Sequence, residues 1–359
     1  MEKVLKHFFL LFFAFSLVLL SVGREVNARA PTQRHNRSNG AHYKKLFVFG
    51  DSYADTGNLG NLGNMLTTSW YEPYGMTFPH KPTGRFSNGR LLTDYVASFL
   101  GIRSPLPYKY RRLGVSKKLL PYGMNFARAG SGIFDNGNFQ DNLTLQVDAF
   151  QWQVKTGIFP EYDLKSSVAL VSVSGNDYKY YKETKGSDVA TLDFVNRLFQ
   201  QLKTELKRIH DVGVPKVLVT NLHPVGCTPY MTRVTNHTKC DSTMRGEAQA
   251  HNQMLETLIK ELNGAGTNTF FSLDLFTAFD SIINQVKGAP KFENILKPCC
   301  DGNDDTSTCA QTDENGMKKY SLCSNPDTHF YWDWLHPSQA GWAAAFEYLK
   351  PAIRRFLSL

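Results

Sequence analysis

Four short apolar runs constrain the fold of this chain more than any other feature. They cover residues 45–49, 168–173, 216–220 and 269–273, and turn-forming residues such as glycine, proline and asparagine flank them. Runs of this length are typical of strands that are buried on both faces of a sheet. Helical patterns separate the later runs, so the alternation predicts a parallel sheet with helices packed on both sides.

Three helices are predicted from apolar residues that recur every three or four positions. Residues 192–210 carry the clearest pattern, residues 242–262 carry a weaker one, and a last helix is predicted from 339 to about 356. Ser338 directly precedes the last helix and is predicted to cap it.

The 359 residues contain no internal repeat and no linker that would divide the chain. We therefore predict a single domain over residues 45–359. Residues 53–123 and 286–330 are rich in glycine, proline, asparagine and tyrosine, and are predicted to be long loops around the site.

Residues 1–28 are predicted to be a secretory signal peptide. Two lysines precede an apolar stretch over residues 8–22, and Ala28 offers a small-residue cleavage site. The stretch is short for a membrane span, and an uncleaved anchor is the alternative. Residues 29–44 are polar and are predicted to form a flexible N-terminal arm. We expect secretion to the apoplast, with the vacuole as an alternative destination, and no stable membrane insertion.

The cysteines and sequons agree with secretion. Six cysteines lie in the second half of the chain, and an even number in a secreted protein predicts disulfides. Cys227 and Cys240 are the expected local pair, and the other four are expected to staple one loop: Cys299, Cys300, Cys309 and Cys323. Zinc is not expected, because no paired Cys-x-x-Cys spacing is present. Glycosylation is predicted at three sequons: Asn36, Asn142 and Asn236.

The net charge of +8 suits an acidic partner such as cell-wall polysaccharide. We therefore expect association with the cell wall as one further property. The charge does not by itself indicate nucleic acid, and no nucleic-acid partner is expected.

The first apolar run leads into Gly50-Asp51-Ser52. A glycine lets the chain turn sharply after a strand, and such strand ends present ligand-binding loops in an α/β sheet. Ser52 is therefore a candidate nucleophile. The alternative is that Asp51 or Ser52 only caps a short helix.

Asp333 and His336 lie three residues apart near the end of the chain, and Pro337 follows them. The proline disfavours helix at His336, so the pair is predicted to lie in a turn. There the carboxylate can orient the imidazole as a base for a serine. The alternative is a purely structural turn before the last helix.

An activated serine also needs donors for the oxyanion that it creates. Asn176 follows the run at 168–173, and its side-chain amide is a candidate donor. The main-chain N–H groups of Gly130 and Ser52 are the other two candidates. Asn176 and Gly130 are also residues that turns commonly use.

Taken together, these segments resemble the plant-type GDSL esterases/lipases of the SGNH hydrolase superfamily. The similar blocks are residues 49–58, 82–90 with Asp94, 125–132, 175–177, 226–229, 299–300 and 333–337. The resemblance implies a three-layer α/β/α sandwich with a flavodoxin-like parallel sheet. It also implies Ser52 as nucleophile, His336 as base and Asp333 as its orienting acid, with an oxyanion hole formed by Ser52, Gly130 and Asn176.

The chain departs from that family's pattern at a few positions. Tyr53 stands where the family name has leucine, Ser174 replaces a glycine, and Arg128 and Ala129 replace smaller residues. None of these changes removes a catalytic group. The changes at Arg128, Ala129 and Ser174 are expected to reshape the floor of the pocket, which weakens any inference of the substrate from relatives.

The leading hypothesis is a serine esterase that acts on small-molecule, lipid or sugar esters without a metal or an organic cofactor. An acyltransferase would use the same acyl-enzyme, with an alcohol in place of water. A secreted, non-catalytic binding protein on this scaffold is the alternative from a different class. His223 follows the run at 216–220 and would be the alternative base if His336 were not.

Overall fold

The computed structural model describes residues 43–137, 140–173, 175–186 and 190–359. The predicted signal peptide, nearly all of the predicted arm, the Asn36 sequon and Ser174 lie outside these residues.

A six-stranded parallel sheet forms the centre of the described residues, in the order β2-β3-β1-β4-β5-β6. Its strands are β1 (Lys45–Gly50), β2 (Leu106–Pro107), β3 (Gly123–Asn125), β4 (Ser167–Ser172), β5 (Lys216–Thr220) and β6 (Phe270–Leu273). The four apolar runs correspond to β1, β4, β5 and β6, so the predicted parallel sheet is confirmed. Phe47 of β1 lies between Met124 of β3 and Ala169 of β4.

Helices cover both faces of the sheet. The α-helices of the described residues are α1 (Leu92–Phe99), α2 (Tyr108–Arg112), α3 (Leu143–Lys155), α4 (Glu161–Lys165), α5 (Asn176–Lys185), α6 (Leu192–Asp211), α7 (Pro229–Thr232), α8 (Ser242–Asn263), α9 (Leu275–Ile283) and α10 (Gln339–Leu357). The three predicted helices are α6, α8 and α10, and the Ser338 hydroxyl caps α10 by accepting from the Gly341 N–H.

Side chains of β1 alternate between two buried clusters, which explains the three layers. Leu46 and Val48 pack with residues of α1, α9 and α10 on one face. Phe47 and Phe49 pack with residues of α3, α6 and α8 on the other. Because successive strand residues point to opposite faces, a continuously apolar strand requires a helical layer on each side. The predicted α/β/α sandwich is therefore the observed one.

The strand order places a crevice at the carboxyl ends of β1 and β4. From β1 the chain goes to β3 on one side of the sheet and then to β4 on the other. Ligands of open α/β sheets bind where the strand order reverses in this way. Ser52 follows β1, and Asn176 follows β4 as the first residue of α5. The fold therefore brings these two residues to the same edge of the sheet.

The two segments predicted to be long loops contain regular structure, so that part of the prediction is wrong. Residues 53–123 include α1, β2 and α2. Leu92 and Val96 bury one face of α1, although glycine and proline dominate the surrounding composition. Residues 286–330 form two small sheets, from β7 (Asn294–Pro298) with β10 (His329–Tyr331) and from β8 (Cys300–Gly302) with β9 (Tyr320–Leu322). Strands this short carry too few residues for a periodic pattern.

Three disulfides are present in the described residues. Cys227 pairs with Cys240, as predicted. Cys299 pairs with Cys323 and Cys300 with Cys309, and both bridges staple the segment of β8 and β9. Among the helices that the structure describes, none has the length and apolar character to cross a bilayer.

Candidate active site

Gly50 makes the tight turn that ends β1. Its φ is 134°, and a Cβ at this position would lie 1.8 Å from the carbonyl oxygen of Ser172. The Gln146 side chain binds both polar groups of Gly50, accepting from its N–H at 2.8 Å and donating to its carbonyl at 2.9 Å. Only glycine fits this conformation and this approach to β4, so the chain leaves the strand in one direction and places Ser52 at the crevice.

Ser52, His336 and Asp333 form a continuous hydrogen-bonded chain. The Ser52 Oγ lies 2.8 Å from His336 Nε2. His336 Nδ1 lies 2.8 Å from Asp333 Oδ1 and 3.0 Å from Oδ2. The structure thus brings together three residues that lie up to 284 positions apart in the chain. In this geometry an imidazole can take the serine proton while the carboxylate holds the ring.

Asp333 also shapes the turn that carries the imidazole. Its Oδ1 accepts the main-chain N–H groups of Leu335 at 2.9 Å and of His336 at 2.8 Å. The segment is a turn and not a helix, as the following Pro337 predicts. A single carboxylate therefore fixes both the backbone of His336 and the orientation of its ring.

Tyr74 is a contributor that the sequence reasoning missed. Its hydroxyl donates to Asp333 Oδ2 at 2.7 Å, and its side chain is buried. Burial raises the pKa of Asp333, but the charge of His336 and the hydrogen bonds from His336, Leu335 and Tyr74 outweigh it and hold that pKa below its usual value. Asp333 is therefore ionised at neutral pH, as the orienting acid of a base must be.

Two aromatic rings flank the His336 imidazole. Phe86 lies on one side at 4.8 Å between ring centroids, and Tyr53 lies at 5.5 Å. Phe86 follows Arg85, whose guanidinium binds both carboxylate oxygens of Asp94 at 2.9 and 2.8 Å. The segment at 82–90 noted in the sequence therefore holds an aromatic ring against the His336 imidazole.

Gly130 and Asn176, the other two predicted donors, lie on neighbouring segments of the crevice. Asn176 Nδ2 donates to the Ser131 carbonyl at 2.9 Å and lies 3.5 Å from Asp51 Oδ2. Gly130 has a φ of 85°, within a turn that the Arg128 N–H ties to the Gly50 carbonyl at 2.9 Å. The structure therefore places both residues beside the turn that carries Ser52.

Asp177 connects the segment that begins at Asn176 with the segment that follows Gly130. Its two carboxylate oxygens accept the N–H groups of Ile133 and Phe134, each at 2.8 Å. Burial raises the pKa of Asp177 to about 6, against the lowering effect of these hydrogen bonds. The carboxylate thus joins the start of α5 to the segment that follows Gly130.

A cleft of about 330 Å³ opens beside Ser52, Asn176 and His336. Its walls are largely apolar and include Leu222, Val225, Met231, Met244, Ala248 and Leu335. Farther along α5, Lys182 pairs with Glu247 of α8 at 2.6 Å across the cleft. A cleft of this size and lining suits a small organic ligand.

His223 lies near the site but not at the serine. Its Nε2 is 2.9 Å from the Tyr53 hydroxyl, and its ring is buried. The imidazole within hydrogen-bond reach of the Ser52 hydroxyl is that of His336.

The described residues offer little for a metal ion. One group combines Cys299, Cys323 and His329. The two cysteines are joined to each other by a disulfide, so they provide no thiolate ligands.

Two of the predicted sequons lie in the described residues. Asn236 is exposed, and Asn142 caps α3 with its side-chain oxygen.

Comparisons with known proteins identify the family of this chain. The family model "GDSL-like Lipase/Acylhydrolase" matches residues 46–349. Two GDSL esterases/lipases from Arabidopsis thaliana are 40% and 39% identical to the chain, covering 98% and 92% of it and 98% and 94% of their own lengths. Among solved structures, Axe2, an acetylxylan esterase from Geobacillus stearothermophilus, is 13% identical with a TM-score of 0.37, covering 88% of this chain and 94% of its own. The resemblance inferred from the sequence blocks is confirmed, and the chain belongs to the family of GDSL-like lipases/acylhydrolases, as a carboxylic ester hydrolase.

Proposed function

We propose that this protein is a secreted serine esterase that works through a Ser-His-Asp triad and an acyl-enzyme. One observation carries the proposal: Ser52 Oγ lies 2.8 Å from His336 Nε2, whose other nitrogen lies 2.8 Å from Asp333. A serine hydroxyl is a weak nucleophile until a base within hydrogen-bond reach accepts its proton.

The reaction proceeds in two halves. Ser52 Oγ attacks the ester carbonyl carbon while His336 Nε2 takes the hydroxyl proton. His336 then gives that proton to the leaving alcohol, and the acyl group stays on Ser52. Water attacks the acyl-enzyme with His336 again as base, and the proton returns to Ser52 as the acid leaves. Asp333 stays ionised and stabilises the imidazolium in both halves.

The negative oxygen of each tetrahedral intermediate would bind to the Asn176 amide and to the main-chain N–H groups of Ser52 and Gly130. The closeness of these three segments at the crevice supports this role. A positioned donor of this kind typically contributes a factor of about 10²–10³ to turnover.

The apolar walls of the cleft support an ester substrate in which either the acyl or the alcohol part is apolar. A panel of esters that varies each part separately would identify the preferred substrate. Acetylated sugars, phenolic esters and lipid esters belong in that panel.

A fluorophosphonate probe tests the triad directly, because it labels only an activated serine. We expect the wild type to be labelled, Ser52→Ala not to be, and His336→Ala to lose turnover by several orders of magnitude while it remains folded. Absence of labelling in the wild type would favour the non-catalytic binding protein.

Product analysis with an added acceptor alcohol separates hydrolysis from acyl transfer. We expect free acid as the main product from the esterase. A new ester as the main product would identify an acyltransferase that uses the same acyl-enzyme.

Secretion and association with the cell wall are part of this proposal. The three disulfides support an oxidising compartment. Without residues 1–28 the chain keeps 37 Lys and Arg against 30 Asp and Glu, and this net charge of +7 supports binding to an acidic wall. Expression of the full chain with a C-terminal tag tests both points, through the N-terminal sequence of the product and its elution from walls by salt. A product that retains residues 1–28 inside cells would contradict secretion.

A further inference from the structure

Tyr53, the residue directly after Ser52, contacts the turn that carries His336. Its hydroxyl oxygen lies 2.6 Å from the Leu335 carbonyl oxygen and 2.9 Å from His223 Nε2. Its side chain is 3% exposed. One side chain therefore links three segments: the turn after β1, the turn that carries the base, and the segment after β5.

The direction of these hydrogen bonds follows from the atoms involved. A carbonyl oxygen can only accept, so the single hydroxyl hydrogen of Tyr53 is donated to Leu335. The hydroxyl oxygen must then accept from His223, which fixes the tautomer of His223 with its hydrogen on Nε2. The Tyr53 hydroxyl and the His223 imidazole therefore each have a single possible placement of their hydrogen.

The surroundings keep His223 in that state. Burial, followed by the charge of nearby His336, lowers the pKa of His223 to about 3. Its ring lies between Tyr53 and Phe279, with centroid distances of 5.0 and 5.4 Å. His223 is therefore neutral at physiological pH and presents a fixed donor to Tyr53. Burial also raises the pKa of Tyr53 well above its usual value, so its hydroxyl keeps its hydrogen.

We propose that Tyr53 and His223 are positioning residues, which hold the turn that carries His336 within reach of Ser52. This inference rests on the proposed roles of Ser52 and His336. The hydrogen bonds that Asp333 Oδ1 accepts from the main-chain N–H groups of Leu335 and His336 fix the shape of the turn, because donors and acceptor all lie within it. The Tyr53 hydrogen bond connects that turn to the residue next to the nucleophile, and so fixes the distance between serine and base.

The chemistry makes this distance important. A displacement of about 1 Å between reacting groups can lower turnover about a hundredfold. A leucine at this position could not replace the contact, because its side chain has no donor for the Leu335 carbonyl. His223 acts through Tyr53 and is not the base that takes the Ser52 proton.

Tyr53→Phe tests the proposal, because it removes the hydroxyl and keeps the ring. We expect kcat for p-nitrophenyl acetate to fall about tenfold, with KM changed less than twofold. Each kcat is calculated as the maximal rate divided by the concentration of sites that a fluorophosphonate probe labels, so loss of folded protein does not enter the value. Tyr95→Phe is the matched control, because the Tyr95 hydroxyl also donates to a main-chain carbonyl, that of Gln339 at 3.1 Å. Tyr95→Phe should keep the wild-type kcat.

Variants of His223 provide an independent measurement if Tyr53→Phe folds poorly. His223→Gln retains an N–H donor and should keep most of kcat, whereas His223→Leu should lose about as much as Tyr53→Phe. The double variant Tyr53→Phe/His223→Leu should be no slower than the slower single variant, because both changes break the same chain.

Wild-type kcat per labelled site in Tyr53→Phe, or equal kcat in His223→Gln and His223→Leu, would overturn the positioning role. Either result leaves the esterase proposal intact, as long as the wild type is labelled at Ser52. Failure of wild-type labelling would instead reject the proposed function itself.

Discussion

The Tyr74 hydroxyl donates a 2.7 Å hydrogen bond to Asp333 across a separation of 259 residues, on the carboxylate oxygen that does not bind the main chain of the turn. Tyr74→Phe removes this bond and should lower kcat about tenfold, because a hydrogen bond to a charged group contributes about 1.5–3 kcal/mol. In the wild type this hydrogen bond helps to lower the pKa of Asp333, so its removal should raise that pKa. Loss of activity through protonation of Asp333 at low pH should therefore begin at a higher pH in the variant.

Tyr71→Phe is the control for this prediction. The Tyr71 hydroxyl donates to the exposed side chain of Asn61 at 3.0 Å, away from the base. Its removal should leave both kcat and the pH profile at wild-type values. A Tyr74→Phe profile that overlays that of Tyr71→Phe would show that the buried bond does not tune Asp333.

Asn176→Ala should lower kcat about 10²–10³-fold with little change in KM, because in the proposed mechanism the side-chain amide binds the oxyanion and not the bound ester. Alanine is compatible with the first turn of α5, so the fold should survive. Asn176→Asp should be slower still, since a carboxylate in place of the amide would repel the developing charge. If Asn176→Ala kept kcat within threefold of the wild type, the oxyanion would depend on the main-chain donors alone.

The sequence predicted the parts of this site that depend on local rules. Ser52 follows an apolar strand and a glycine, and Pro337 forces Asp333 and His336 into a turn. The strand order then brings Ser52 and Asn176 to one edge of the sheet. The strand before Ser52 and the turn before Pro337 can be predicted because each depends on only a few neighbouring residues.

The supporting contacts could not be predicted, because they join distant segments. Gln146 binds Gly50 across 96 positions, and no motif surrounds either partner that would indicate the other. The helix α5 was also missed, because Asp177 is its one fully buried residue and its sequence is too polar to show an apolar face. Its end is set by Gly186, which adopts the left-handed conformation that closes a helix.

Gly50→Ala should prevent folding or strongly destabilise the protein. The added Cβ would meet the Ser172 carbonyl at 1.8 Å, and the φ of 134° is unfavourable for any side chain. Gly101→Ala is the matched control, since Gly101 has a φ of 73° but no atom within 4 Å of the added Cβ. That control should lose only about 1–2 kcal/mol of unfolding free energy. Urea denaturation of the two variants measures the difference, and equal midpoints would contradict the steric argument.

His251 should make the protein sensitive to acid. Its ring is 8% exposed, and burial lowers its pKa to about 3, from the 6.5 expected in the unfolded chain. Because the folded pKa is the lower one, the stabilising contribution is complete above pH 6.5 and is lost as pH falls towards 3, by up to about 1.4 kcal/mol per pH unit. His251→Gln retains a polar partner for Tyr178 and removes the titration, so its unfolding free energy should fall less steeply over this range.

Tyr178→Phe separates the charge effect from the loss of a hydrogen bond. The Tyr178 hydroxyl lies 2.8 Å from His251 Nδ1, so this variant breaks the contact but keeps the imidazole. It should lower stability by a similar amount at every pH, because the buried histidine still resists protonation. Urea unfolding of wild type, His251→Gln and Tyr178→Phe at pH 7, 5.5 and 4.5 makes the comparison. Parallel curves for wild type and His251→Gln would show that acid acts elsewhere, whereas a flattened curve in His251→Gln alone would assign the sensitivity to this imidazole.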